Sequence, residues 1–423
     1  MEIETRDGEV IRRLRAGRAK EGGVFFTGRG NGLAVLDPHR AQEVNATNFA
    51  DFEMNERLVD MVRGRRSKRV PWKSVRAAWA ARLPKLSEPA RVAELEERML
   101  SLAAARTGRD LDLTWAIQEI FTRALIPVVL ADLSPADLEK LHQDQTYKLS
   151  RLLRAQQREE TRREKLRSAI LQIRSGRVAR RSLRERARGR RPRRLDLADP
   201  IVDLLPTLGM DRAAFAVTAV LTAIAGPPGA VAACMLLELA RRPEWAARIR
   251  AEISAVPRER FHEAPLRSAP DTYRFVKETL RKWSSPLVLT RVVRVPVCVD
   301  GKELEPGGQF HLSTYFAHHD PAEWEDPETF DPGRWLSGSE RGPAHSCAYV
   351  PFGWAPTSCI GAGLGTVELM LLASLFTTRF RIDAVDPESV EIVLASVPLP
   401  VGFRGVISRR GADETVSNPK ERR

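Results

Sequence analysis

The run Pro351-Phe352-Gly353-Trp354-Ala355-Pro356-Thr357-Ser358-Cys359-Ile360-Gly361 sets one cysteine on a tight apolar loop, directly ahead of residues 362–376, which read as an apolar helix. Gly353 and Gly361 permit close backbone approach or positive φ, Pro351 and Pro356 stiffen the loop, and Phe352 and Trp354 exclude water. Amides at the helix N-terminus point back at Cys359 and favour the deprotonated sulfur, the form that ligates a metal. Such a thiolate is suited above all to haem iron. The loop by itself is equally compatible with an ordinary buried free cysteine.

Other residues decide between these two readings. Glu278 and Arg281 lie three apart in Val276-Lys277-Glu278-Thr279-Leu280-Arg281, so a carboxylate and a guanidinium share one helical face and can pair. Arg291 follows behind Ser285-Pro286. Further on come Ala317-His318-His319-Asp320-Pro321 and then Glu325-Asp326-Pro327-Glu328-Thr329-Phe330-Asp331-Pro332-Gly333-Arg334-Trp335. His318 and His319 are adjacent and cannot share a face, which argues against a joint metal role.

In order and spacing, these segments resemble the C-terminal half of the cytochrome P450 superfamily: its Glu-x-x-Arg helix, its meander and its cysteine-ligand loop. The resemblance implies a mainly α protein with a small β region, a single large haem-thiolate domain over residues 1–423. It implies haem b as cofactor, with Cys359 as axial thiolate, the iron's one protein ligand, and the catalytic centre. Phe352 and Gly361 would flank the cofactor, and Arg291 would hold a haem propionate. Trp72-Lys73-Ser74-Val75-Arg76 looks like the family's other propionate helix, with Trp72 and Arg76 on one face; a solvated basic helix is the plainer reading, since Arg82 and Lys85 follow. Glu278, Arg281 and Arg334 would form a buried structural network that fixes the meander.

Residues 213–237 are uncharged and long enough to span a bilayer. They are rich in Ala, Gly and Thr and carry Pro227-Pro228 at the centre without an aromatic belt, which favours a core helix over a transmembrane one. The family places its longest helix here, crossing over the haem, with an acid and an alcohol that manage water and proton delivery. This chain reads Ala223-Ile224-Ala225-Gly226-Pro227-Pro228-Gly229-Ala230. In either plausible register the oxygen-groove positions fall among Gly226, Pro227, Pro228 and Gly229, and none supplies an acid or hydroxyl. The two prolines delete amide donors to the carbonyls of Ala223 and Ile224 and should kink the helix. A bend with otherwise ordinary chemistry is the bland alternative. The ligand loop departs too: Ala355 stands where the family has Gly, and Thr357 where it has Arg or His, so one propionate contact is missing.

Basicity is local. Residues 151–194 carry 18 Lys/Arg and 4 Asp/Glu, net +14, against +13 for the whole chain. Residues 159–188 read as a helix with a narrow apolar stripe at Leu166, Ile170, Ile173 and Leu183, and residues 188–194 as a solvated loop. By the resemblance this segment belongs to the substrate-access lid, where it would attract an acidic substrate, a carrier protein or a membrane surface; a solvated surface without a partner explains it equally well. It lacks interleaved aromatics, which argues against nucleic acid.

No Gly/Ser linker or internal repeat divides the 423 residues. The four cysteines have no zinc-like pair spacing, and the N-terminus does not read as a signal peptide, so a cytoplasmic setting is expected. Residues 411–423 read as a disordered tail. The expected function is a haem-thiolate oxidoreductase: a monooxygenase tailoring a specialised-metabolite small molecule, with electrons from a separate ferredoxin-type partner. The atypical central helix keeps two alternatives open: peroxide-driven, substrate-assisted or coupling chemistry, and a haem-binding scaffold or sensor without turnover.

Overall fold

Local chemistry sets several helix starts. Asp37 accepts from the Arg40 amide at 2.8 Å ahead of Pro38, Ser313 accepts from the Phe316 amide, and Thr161 with Glu164 closes a reciprocal capping box. The computed structural model describes residues 2–28, 30–48, 72–155, 159–293, 295–339 and 341–411. Of the tail expected at 411–423, all but Gly411 lies outside the described residues, as do 156–158 of the basic segment.

In chain order the helices are α1 (Glu9–Glu21), α2 (Pro38–Thr47), α3 (Trp72–Leu86), α4 (Pro89–Ala104), α5 (Leu113–Val129), α6 (Pro135–Ala155), α7 (Arg162–Ala187), α8 (Leu205–Arg241), α9 (Pro243–Ala255), α10 (Pro270–Lys282), α11 (Thr314–His318) and α12 (Ala362–Thr378), with shorter turns between. The strands are β1 (Thr5–Asp7), β2 (Val24–Thr27), β3 (Gly32–Val35), β4 (Asp110–Asp112), β5 (Leu289–Val292), β6 (Val297–Val299), β7 (Lys302–Leu304), β8 (Gln309–Leu312), β9 (Phe380–Val385), β10 (Glu391–Leu394), β11 (Pro398–Val401) and β12 (Arg404–Arg409). They form small sheets, the largest ordered β2-β3-β8-β5, in which Arg291 faces Phe310 across an antiparallel pair. The architecture is mainly helical with a small β content, as the sequence implied.

The core is built around α8, which packs on α5, α7 and α12. Its helical path breaks at Gly209, whose φ of +70° is open to glycine. Among the described residues, α8 is the one helix long and apolar enough to cross a membrane, and 61% of its most apolar window is buried inside the fold. A second apolar cluster lies under the β2-β3-β8-β5 sheet and takes in Trp354, so the cysteine loop is rooted in that sheet.

The basic segment departs from expectation in two ways. It does form a helix, but α7 buries Leu171, Val178, Ala179 and Leu183, while Leu166, Ile170 and Ile173 stay exposed. The inward face is thus built partly from Ala and Ser, which let α7 approach its neighbours closely, and of the anticipated stripe it includes Leu183 alone. Residues 188–194 are not a plain solvated loop either. Arg193 bridges Asp199 and Asp203, Arg194 pairs with Asp132, and Arg186 makes a fully buried bidentate pair with Asp196 at 2.6 and 2.8 Å. Arg180 and Arg181 pair with Asp211 and Asp137. Acids outside the segment therefore neutralise much of its charge, which weakens the case for a free electropositive patch.

Candidate functional site

Cys359 lies just ahead of α12, its amide donating to the Phe352 carbonyl at 2.8 Å. Gly353 takes φ +80° and makes the turn that this bond closes, whereas Gly361 keeps φ −86° and donates its amide to the sulfur instead. Gly361 therefore acts through its N–H, and a Cβ there would sit 3.7 Å from Sγ, an ordinary contact. The sulfur is reachable by solvent, yet the surrounding protein desolvates it and raises the thiol pKa. The Gly361 amide, as the sequence suggested, and Arg76, which it did not, pull the other way, but burial outweighs them. Metal ligation favours the thiolate over the thiol, opposing this effect of burial.

Thr357, standing where an arginine or histidine was expected, donates to Asn45 Oδ1 at 2.8 Å, and Asn45 Nδ2 donates to the Trp354 and Ala355 carbonyls at 3.1 and 3.0 Å. A neutral clamp from α2 has replaced a charged contact. Arg76 of α3 donates to the Ser358 carbonyl, next to Cys359. Burial, with repulsion from nearby Arg76 added to it, pushes the pKa of Arg291 of β5 down to about 10. The Arg76 guanidinium thus lies beside the cysteine loop, with the like-charged Arg291 near it. Trp72 sits instead among aromatic rings, 6.1 Å from Trp79 and 6.3 Å from Phe215.

Glu278, Arg281 and Arg334 meet as a completely buried network. Arg281 donates Nη2 to Glu278 Oε1 at 2.8 Å and Nε to Oε2 at 3.0 Å, and its remaining donors reach the carbonyls of His318, Pro327 and Thr329. Arg334 Nε adds a bond to Glu278 Oε1 at 3.1 Å, and Trp335 Nε1 donates to Oε2 at 3.0 Å. His318 Nδ1 lies 2.9 Å from the Arg281 carbonyl while Nε2 accepts from the Val350 amide, and His319 Nδ1 bonds the Tyr315 carbonyl. His318 thus joins the end of α11 to helix α10 and to the residue before the cysteine loop, while His319 bonds back onto its own helix.

Gly226, Pro227, Pro228 and Gly229 all lie within α8, and a Cβ added at Gly226 would meet nothing within 4 Å. At Gly229, by contrast, an added Cβ would come within 2.3 Å of Gln118 Oε1. Gln118 of α5 fills that space and donates to the Ala225 carbonyl at 2.8 Å and to Thr122 at 3.1 Å. Lys148 of α6, paired with Asp144, donates to Thr222 of α8 at 3.1 Å. Sequence motifs did not reveal these groups, because each comes from a neighbouring helix. Glu368 of α12 was missed as well: among the described residues neither carboxyl oxygen has a hydrogen-bond partner, and burial lifts its pKa well above the carboxylate range. Its one legible signal was an acid in an otherwise apolar helix.

Residues 210–400 match the family model "Cytochrome P450". Among curated proteins, the chain is 32% identical over 150 residues to cytochrome P450 CYP72A616 of Paris polyphylla, covering 35% of this chain and 29% of that one. It is 35% identical over 159 residues to cytochrome P450 4X1 of Rattus norvegicus, covering 36% and 30%. The matched stretch thus spans under a third of these relatives' length. In three dimensions the chain superposes on a cytochrome P450DA heme domain with TM-score 0.76 at 19% identity, covering 97% of this chain and 94% of the other. A zebra fish cytochrome P450 solved with progesterone gives TM-score 0.75 at 18% identity, covering 94% and 99%. Residues 210–400 are thus similar in sequence to the cytochrome P450 family, and nearly the whole chain shares the fold of the solved cytochrome P450 heme domains. That family's cofactor is haem b, and the residues present fit it: a solvent-reachable thiol with Arg76 bonded to the neighbouring carbonyl and Arg291 close to Arg76 suits an iron flanked by two carboxylates.

Proposed function

We propose that this chain, with the cytochrome P450 fold around Cys359, is a haem-thiolate monooxygenase acting on a small molecule, with Cys359 as the axial ligand. The observation that carries this is the placement of the Cys359 thiol under a Gly361 amide, with Arg76 bonded to the neighbouring Ser358 carbonyl and Arg291 close to Arg76. When bound, haem b with a thiolate ligand supplies oxidation of unreactive carbon. Arg76 and Arg291 would hold the two propionates through charge-assisted hydrogen bonds, relieving their mutual repulsion. Glu278, Arg281 and Arg334 hold the meander in place and touch no reactant.

Electrons would come from a ferredoxin-type partner. Supporting this, a recess of about 310 Å³ opens against the cysteine loop, lined by Tyr273, Lys277, Phe352 and Thr366, and offers a cation beside aromatic surface to an acidic protein. A specialised metabolite is the substrate class we favour. The four free cysteines accord with a reducing cytoplasm.

Gly226 to Gly229 favour a second reading of the chemistry, since that turn of α8 carries no acid or hydroxyl. Proton delivery then falls to the substrate or to water, as it would in a peroxide-driven or coupling reaction. The test is spectroscopic first. Reduced protein under carbon monoxide should show the thiolate-haem Soret shift, and Cys359→Ala should abolish it; a variant that keeps the shift would sink the assignment. Product should then form with a ferredoxin–reductase couple or with peroxide. Turnover with peroxide alone would favour the second reading, and a Soret shift without product in either system would show a scaffold instead.

A further inference from the structure

We propose that His39, Glu323 and His345 form a binding site for a divalent transition-metal ion of the zinc class, on the side of the molecule that supports the cysteine loop. Three segments distant in sequence meet here: the start of α2, the turn after α11 and the stretch leading to Ser346–Ala348. Glu323 Oε1 lies 3.0 Å from His39 Nε2, and Glu323 Oε2 lies 3.1 Å from His345 Nδ1. One ligand atom from each residue lies within 4.8 Å of both others. Tetrahedral zinc with bonds of about 2.0–2.1 Å sets its ligand atoms roughly 3.3 Å apart, so only small side-chain rotations separate this cluster from a coordination sphere.

Charge and chemistry agree with the geometry. The Glu323 side chain is 7% exposed, while those of His39 and His345 are 49% and 60% exposed, so the carboxylate is anchored and the imidazoles form an open mouth. An imidazole in its metal-binding form is neutral, so two of them leave the buried carboxylate uncompensated until a cation sits between all three. Two imidazoles and one carboxylate select zinc, copper or nickel over calcium or magnesium, and leave a fourth position for water. The site is also preorganised. The His345 amide donates to Glu323 Oε2 at 3.1 Å, and His39 Nδ1 faces Cys347 Sγ at 3.5 Å, which leaves Nε2 turned towards Glu323.

A bound ion would tie α2 to the support of the cysteine loop. The same helix carries Asn45, which donates to the Trp354 and Ala355 carbonyls, and Trp354 Nε1 donates to the Cys347 carbonyl at 3.1 Å. The role is a clamp remote from the reaction, so it does not depend on the haem assignment.

The experiment titrates chelator-stripped full-length protein with Zn²⁺ against a chromophoric chelator, in wild type, His345→Ala and His39→Ala/His345→Ala. Far-UV circular dichroism checks that each variant is folded; His345→Ala, at an exposed position, serves if the double variant is not. We expect one zinc per chain, affinity at least about tenfold weaker in His345→Ala, and no saturable binding in the double variant. Zn²⁺ should also raise the unfolding temperature of wild type and not that of the double variant. Equal zinc affinity in wild type and variants, or no uptake by wild type, would overturn the proposal.

Discussion

Replacing Arg334 with alanine tests whether the buried network carries the stability of the meander. The side chain donates to Glu278 Oε1 at 3.1 Å and to the carbonyls of Glu325, Arg341, Asp326 and Thr329 at 3.2, 3.0, 3.4 and 3.2 Å. Truncation leaves those carbonyls without this donor and removes one of two guanidinium partners from a fully buried carboxylate. Breaking a buried pair in this way costs about 3–5 kcal/mol. Because Arg281 still compensates Glu278, the lower half of that range applies to the charge, while the stranded carbonyls add to it. With unfolding entropy of roughly 2.1 cal/mol/K per residue, a chain of 423 residues has about 0.9 kcal/mol/K, so the unfolding temperature should fall by about 3–6 °C. Arg334→Lys keeps the charge but cannot reach five acceptors, and should lie between the two. Scanning calorimetry and denaturant unfolding at constant m measure the effect. Combining Arg334→Ala with Glu278→Gln should be clearly non-additive. An Arg334→Ala protein that unfolds within roughly 1 °C of wild type, or strict additivity in the double variant, would refute the reasoning.

Gly229→Ala should force Gln118 away from α8 and break its bond to the Ala225 carbonyl, costing about 1–3 kcal/mol in denaturant unfolding; Gln118→Ala in the same chain should recover part of the loss, and no recovery would show that the strain lies elsewhere. Burial and the charge of Arg281 hold the His318 pKa down at about 3, against 6.5 for the free group. The unfolded chain therefore binds the extra proton first, so this histidine's stabilisation is present above pH 6.5 and lost as pH falls towards 3, at up to about 1.4 kcal/mol per pH unit. His318→Gln should flatten the acid limb of stability against pH by that share, and an unchanged slope would show that His318 is not the group titrating.

What could be read from the sequence was what helical and loop periodicity encodes locally. Glu278 and Arg281 announce their pairing because three positions along a helix return to one face. Cys359 announces itself through the glycines, prolines and apolar helix around it, whereas the kink expected at Pro227-Pro228 does not form: α8 keeps helical angles there and leaves them at Gly209. Fold class followed from these, since they come in a recognisable order along the chain. Where local pattern misled, packing overruled it: the apparent stripe Leu166, Ile170 and Ile173 faces out because small residues make the tighter inward face of α7.

Tertiary structure alone decided the rest, because those contacts join positions whose separation along the chain follows no period. Thr357 finds Asn45 across the molecule, Gln118 fills the space at Gly229, and Asp132, Asp199 and Asp203 disarm a basic segment that in sequence looks free. The Cys359 thiol is another case: a helix N-terminus predicts a lowered pKa, and only the depth of its surroundings shows that desolvation raises it. His39, Glu323 and His345 have no motif spacing, and their meeting depends on α2, the turn after α11 and the approach to the cysteine loop being folded against one another.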